Sequence, residues 1–454
     1  MTLPACNGPM RRREFLRIGA LALGGMTMPE LLRARALAGQ STTPKSVILF
    51  WMWGGPSQLE TWDCKPDAPS EYRGPLRPIH TTVPGLDVCE VFPLQARLGH
   101  RISLIRSLHH QMSSHNDGSI ELLTGKTPVK EDPTSTAKSD HPDFGMIASH
   151  VRPAAKNGLP GYVGVPRVPF MVQPSYLGMT HAGFAAGNPS VPDFRPPNLS
   201  LDAGIDGGRL DDRQGLVAQL DRYRRGHDLQ GAMQATDEFR QQAFQLLTST
   251  VVADAFAINK EKPATRDRYG RHLWGQSCLL ARRLAEAGVG VITVDALSPV
   301  PSNPIYFSWD DHANPATGWH LEGAMRWRGP YMDQGLSALI EDIYDRGLDQ
   351  QVLVVAVGEF GRTPRLASPQ GVLGRDHWPG AQSALVSGGG LRMGQVIGAT
   401  TSKAEYPVER PLSPKDLLAT IYRHLGVDYR ATISDFGGRP QHILSEGEPI
   451  RELI

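Results

Sequence analysis

"VLVVAVGEFGRTPRLASPQGVLGRDHWPG", residues 352–380, places an acid, Glu359, just beyond an unbroken apolar run from Val352 to Val357. Arg362 and the adjacent Asp376 and His377 follow. An apolar run without alternation is the pattern of a parallel strand covered by helices on both faces. In open α/β sheets ligands bind beyond the carboxyl ends of such strands, which makes the acid a candidate ligand or catalyst.

The same organisation recurs on either side of this stretch. "KSVILFWMWGGPSQLETWD" (45–63) reads as a strand from Val47 to Trp53 running into a Gly-Gly-Pro turn, and "RISLIRSLHHQMSSHNDGSIELLTGKTP" (101–128) as a short strand, a polar cluster and a helix ending at Gly125. "DHPDFGMIASHV" (140–151) is a helix entry, and "GVGVITVDAL" (288–297) is a buried strand ending in Asp295 that leads to "YFSWDDHANPATGWH". Helical spacing marks Leu216 to Leu247, Arg268 to Ala287 and Tyr331 to Arg346. "QSALVSGGG" (382–390) gives a further strand, and Ser413 and Pro414 open a helix as cap and first residue. Strands alternating with helices predict an α/β fold with a mainly parallel sheet. The Pro- and Gly-rich residues 156–212 read as a loop-rich insertion over that sheet.

With 454 residues, 40% of them hydrophobic, the chain can bury a large core, and a net charge of +1 supplies no basic field for nucleic acid. At the N-terminus Arg12 and Arg13 precede Phe15 and Leu16, an apolar stretch from Ile18 to Met28, and a small-x-small site at Ala36-Leu37-Ala38. This resembles a twin-arginine export signal cleaved after Ala38, which implies the export machinery as a partner and a mature protein in the periplasm or outside the cell. The apolar stretch falls short of the about 20 residues that a membrane span needs, so no span is expected in the mature protein. Residues 39–454 then form one domain. Cys64 and Cys89 could pair after export, and Cys278 reads as a buried thiol.

Three clusters carry the chemistry: His109, His110, His115, Asn116 and Asp117; Asp310, Asp311 and His312; and Glu359, Arg362, Asp376 and His377. Carboxylates and imidazoles gathered from separate loops are the ligand types that zinc, manganese or iron prefer. A planar guanidinium at Arg362 suits an anionic oxygen. Each cluster also has a structural reading: "WDDHAN" as a self-capping loop, the strand-end histidines as core residues, Glu359 as the ion-pair partner of Arg362 or Arg365.

The order of the pieces adds to this. "WDDHAN", "VVAVGEFGRTP", "GRDHWPGAQSALVSGGG", "SPKDLLATIYRHLGVD" and "DFGGRPQHIL" together resemble the domain-of-unknown-function family 1501, of the alkaline phosphatase and sulfatase superfamily, over nearly the whole mature chain. The resemblance implies an alkaline phosphatase-like three-layer sandwich and a metal-dependent hydrolase of phosphate or sulfate esters, with an anionic small molecule or a glycan ester as substrate. It implies a divalent ion, zinc or manganese with calcium as a further candidate, held by Asp310, His312, Glu359, Asp376 and His377. Arg362 would steady the anion, and His115 falls at the nucleophile position, followed by "NDG". Gly54 and Gly55 stand where sulfatases carry an acid pair, and a histidine cannot become formylglycine. His115 is therefore read as a ligand, a nucleophile or an anion binder, the ligand role being preferred. The alternative is a non-catalytic exported protein that binds glycans or partners on the same fold.

Overall fold

Six consecutive buried residues, Ser46–Trp51 (β1), lie between two equally buried strands, and all three run parallel. The computed structural model describes residues 44–152, 158–197, 199, 241, 243–303 and 305–454. The signal segment and most of the Leu216–Leu247 helix lie outside the described residues. Strands Ile102–Leu108 (β2), Tyr162–Val165 (β3), Phe184–Ala185 (β4), Val291–Asp295 (β5), Val352–Val357 (β6), Gln382–Gly388 (β7) and Val396–Ile397 (β8) complete an eight-stranded sheet. Its order is β8-β2-β7-β6-β1-β5-β3-β4, and β7 alone runs against the others.

Alternation along β1 serves two cores. Ile48, Phe50 and Met52 pack with helices Leu273–Ala287 and Leu321–Asp345, whereas Val47, Leu49 and Trp51 pack with His115–Thr124 (α1), Phe144–Val151 (α2) and Pro414–Leu425. Here we call Leu273–Ala287 α3, Leu321–Asp345 α4 and Pro414–Leu425 α5. The result is helix, sheet, helix: a mixed α/β fold with a large, mainly parallel central sheet. Among the described residues no helix is long and apolar enough to cross a membrane.

Three expectations change. The stretch read as an insertion supplies β3 and β4, because "YVGV" buries all four residues and pairs with β5. The helix expected from Tyr331 begins at Leu321, ten residues earlier, with Pro330 inside it. An interior proline costs a hydrogen bond, but Leu321, Ala324, Met325 and Arg328 are buried and keep the preceding turns helical. The helix expected from Arg268 is two, Pro263–Tyr269 and α3, broken where Gly270 takes φ +90°. Cys64 and Cys89 are free thiols beside one another, and Cys278 is buried as expected.

After that break α3 is capped by a histidine, whose Nδ1 accepts the Gly275 N–H at 3.2 Å. Burial lowers the His272 pKa to about 4, against 6.5 for the free imidazole. The unfolded chain therefore takes up this proton at higher pH than the folded one, so stability is full above about pH 6.5 and falls as pH drops toward 4. His272→Asn offers a cap that does not titrate. Thermal melts between pH 7 and 4.5 should show the Asn variant losing less stability than wild type, by on the order of 2 kcal/mol. Parallel losses would show that the cap is not the group that titrates.

Candidate metal centre

Four parallel strands deliver the site. Trp51 stands level with both Asp295 and Val357 across the sheet, so the loops after β1, β5 and β6 leave it at one height. The loop after β1 carries Trp53, Gly54 and Gly55, the loop after β5 carries Asp310 and His312, and Glu359 follows β6. His115 opens α1 after β2. His377–Trp378 pairs antiparallel with Gly361–Arg362, His377 opposite Arg362, and this short ribbon brings the last histidine back to the same sheet edge.

Asp310 is the hub. Its Oδ1 lies 3.1 Å from His312 Nε2 and 3.2 Å from His377 Nε2, and those two nitrogens are 3.0 Å apart. Its Oδ2 lies 3.3 Å from His115 Nε2. The Ser113 carbonyl accepts from His377 Nδ1 at 2.7 Å, and the Asp376 carboxylate accepts from His312 Nδ1 at 2.9 Å. With both Nδ1 atoms donating, a neutral ring at either position turns its Nε2 lone pair toward Asp310 Oδ1, whereas a protonated ring donates to it. In the neutral form the two nitrogens and the carboxylate oxygen are three acceptors at ligand spacing, with the Arg362 guanidinium on the far side of that oxygen. Ligands at the zinc distances of ~2.0–2.2 Å in a tetrahedron stand about 3.3–3.6 Å apart, a few tenths of an ångström more than is seen. His115, Asp310 and His377 each bring a ligand atom within 4.8 Å of the others.

The electrostatics follow this packing. Although burial alone would raise it, hydrogen bonds from His115, His312 and His377 and the Arg362 charge hold the Asp310 carboxyl well below the usual carboxylate range. Asp310 in turn raises the His312 pKa, while burial lowers that of His377. Burial works against the charged form of His115, yet the bonds to Asp310 and Glu359 outweigh it and hold its pKa up at about 9. The ring of His115 lies between aromatic walls, 4.9 Å from Trp53 and 5.3 Å from Phe360.

The predicted residues separate into two groups. Asp310, His312, His377 and His115 converge. Glu359 stands behind them: fully buried, its Oε1 accepts from Gly54 N at 2.8 Å and meets His115 Nδ1 at 2.7 Å. Asp376 is largely exposed and reaches the cluster only through His312. Arg362 departs furthest from expectation. It is fully buried, and its guanidinium donates to Gly55 O at 2.8 Å, Arg375 O at 3.1 Å, Gly54 O and Asp310 Oδ1. Its fork is thus engaged by protein oxygens and holds Asp310. His110 is a buried structural residue whose Nε2 donates to Glu359 O at 2.6 Å, and Asn116 donates to Ala137 O, away from the cluster. Asp117 caps its own helix with Ser114.

Sequence reasoning missed what pins the Asp310 loop. Trp309 stacks on Trp274 with centroids 5.6 Å apart, and its Nε1 donates to Ala296 O at 2.8 Å. Arg328, from α4, lies over the Trp309 ring at 4.2 Å and pairs with Asp311, both side chains being at most 1% exposed. Trp319 Nε1 also donates to Asp311 at 3.0 Å. Nothing local distinguishes Asp311 from Asp310, and Arg328 lies in another element. Removing one member of a buried pair typically costs ~3–5 kcal/mol. Arg328→Met should therefore lower unfolding free energy by roughly that amount in a denaturant titration, with Asp311→Asn smaller in effect because it retains a hydrogen-bonding oxygen. A loss under about 1 kcal/mol would show that the clamp is not holding the loop.

No protein of curated function matches the sequence. Among solved structures, the chain is similar to the PsFucS1 sulfatase from Pseudoalteromonas sp., at 13% identity over 87% of this chain and 70% of that one, with a TM-score of 0.36. It is similar to the lipoteichoic acid synthase LtaP from Listeria monocytogenes, at 11% identity, coverage of 85% and 72%, and a TM-score of 0.31. The zinc complex of the C-terminal periplasmic domain of EcEptC from Escherichia coli is similar at 10% identity, coverage of 85% and 83%, and a TM-score of 0.35. None of these likenesses assigns a role to a residue here. Residues 44–454 match the family described as "Protein of unknown function (DUF1501)", and the chain belongs to that family.

Proposed function

We propose that this chain is a metal-dependent hydrolase of phosphate or sulfate esters, exported to the periplasm or beyond and acting on an anionic small molecule or a glycan ester. One observation carries the reading: His312 Nε2, His377 Nε2 and Asp310 Oδ1 sit 3.0–3.2 Å apart with both Nδ1 atoms fixed from behind. Imidazoles held in this way by a carbonyl and a carboxylate are the supporting arrangement of metal-ligating histidines. The nitrogen-rich donor set suits zinc best; manganese and, more so, calcium prefer oxygen ligands.

In this reading His312, His377 and Asp310 hold the ion, and His115 completes the set through Nε2 while Glu359 fixes its Nδ1. A divalent ion held there supplies polarisation of an ester oxygen and neutralises charge on the substrate. Trp53 and Phe360 limit water on the His115 side, and the partly exposed His312 and Asp376 mark the open side from which an ester enters. Arg362 acts by positioning Asp310. The second reading, a non-catalytic binding protein, is favoured by Gly54 and Gly55: neither offers a side-chain ligand, and their carbonyls are taken by Arg362.

Metal analysis of the purified mature chain tests the first reading. His377→Ala and Asp310→Asn should each weaken zinc or manganese binding at least tenfold and abolish turnover of aryl phosphate or aryl sulfate esters. Undiminished metal content in both variants sinks the ligand assignment, and metal retained by wild type without turnover on any ester favours the binding protein. Export is tested separately. Residues 1–45 fused to a reporter that works only when exported folded should give a periplasmic signal, and changing Arg12 and Arg13 together to Lys should abolish it; unchanged export removes the twin-arginine route.

A further inference from the structure

We infer that Arg362 is the permanent second cation of this centre, so that the site takes one divalent ion and not two. The inference rests on the metal reading above and deepens it.

The guanidinium occupies a cage of oxygens of the kind a metal would use. Gly54 O, Gly55 O, Arg375 O and Asp310 Oδ1 all accept from it, and the side chain has no exposure to solvent. No acid can be added beside it at the end of β1. Gly54 takes φ +117°, and a Cβ there would stand 2.6 Å from the backbone nitrogens of Trp309 and Asp310; a Cβ on Gly55 would stand 2.5 Å from the Phe360 ring. The glycines are thus required by close packing, and what they present to the site is backbone carbonyl. Neutral carbonyls and one shared carboxylate oxygen suit a single positive charge already covalently in place.

Charge balance points the same way. Three carboxylates belong to the centre: Asp310 within it, the buried Glu359 through His115, and the exposed Asp376 through His312. Nearby acids are matched elsewhere, Asp311 by Arg328, Glu60 by Arg375 and Asp295 by Arg167. One dication together with the Arg362 guanidinium neutralises the three carboxylates. A second dication would leave two uncompensated positive charges beside the buried Arg362 guanidinium, whose repulsion is only partly screened at this half-open centre. Asp310 Oδ1 is moreover shared between Arg362 and the two histidines, so a second ion would have to displace the guanidinium into the protein interior.

The test is a count. Purified full chain equilibrated with excess Mn2+ and then desalted should retain one equivalent and give the electron paramagnetic resonance spectrum of an isolated ion. Two equivalents with an exchange-coupled spectrum would overturn the inference and leave the metal reading intact; no retained Mn2+ or Zn2+ would overturn both. Arg362→Gln removes the neighbouring charge and should bind the first Mn2+ about tenfold more tightly, whereas Arg362→Lys, which keeps the charge, should stay within about threefold of wild type. Unchanged or weaker binding in a folded Gln variant would overturn the charge role. Should that variant not fold, the wild-type count and spectrum decide alone.

Discussion

The site depends on the carboxylate of Asp310 being surrounded by positive charge and proton donors. One oxygen faces His115, the other faces His312, His377 and the buried fork of Arg362. A partly buried carboxylate is costly unless paired, and each of these contacts reduces that cost while setting the position of the group that makes it. Removing Asp310 would leave a buried guanidinium and several imidazoles without their common partner. The packing of the loops at the sheet edge is thus tied to the electrostatics of a single side chain.

What fixes Asp310 lies outside the cluster. Trp309 is stacked on α3 and Arg328 reaches from α4 to Asp311, so the residue before Asp310 and the residue after it are both anchored in the core. Arg375, adjoining Asp376 and His377, is held by Glu60 with neither side chain exposed. Such buried pairs contribute little net stability, because desolvation offsets their attraction, but they admit few alternative loop geometries. A rigid support of this kind is what a coordination site needs, since ligand atoms must keep their spacing before any ion is present. The two aromatic walls at His115 serve the same end by restricting its ring.

Legibility differed from residue to residue. The ordered motifs around Asp310, His312, Glu359 and His377 pointed to one sheet edge, and these residues do meet or adjoin there. The roles of Glu359 and Arg362 were not legible. Both follow β6 within five positions, and only the path of the chain after β6 turns Glu359 toward Gly54 and His115 and drives Arg362 into a cage of carbonyls. Asp310 and Asp311 are adjacent acids with opposite fates, one at the cluster and the other sealed under Arg328 and Trp319. Burial of a charge is set by what packs over it, and for Asp311 that partner is seventeen residues away in α4.

The amino-acid order by itself determined the fold class. Unbroken apolar runs such as Val352–Val357 must be covered on both faces, and alternating strands and helices then close into a mainly parallel sheet with its ligand edge at the strand ends. It also determined which residue types could gather at that edge. Tertiary structure decided which of them share a point, which are sealed in the interior, and where helices begin despite Pro330 and end at Gly270. The physical reason is range: hydrophobic periodicity is a local property that every few residues report, whereas coordination spacing and charge burial arise from contacts between segments up to hundreds of residues apart, as between His115 and Glu359.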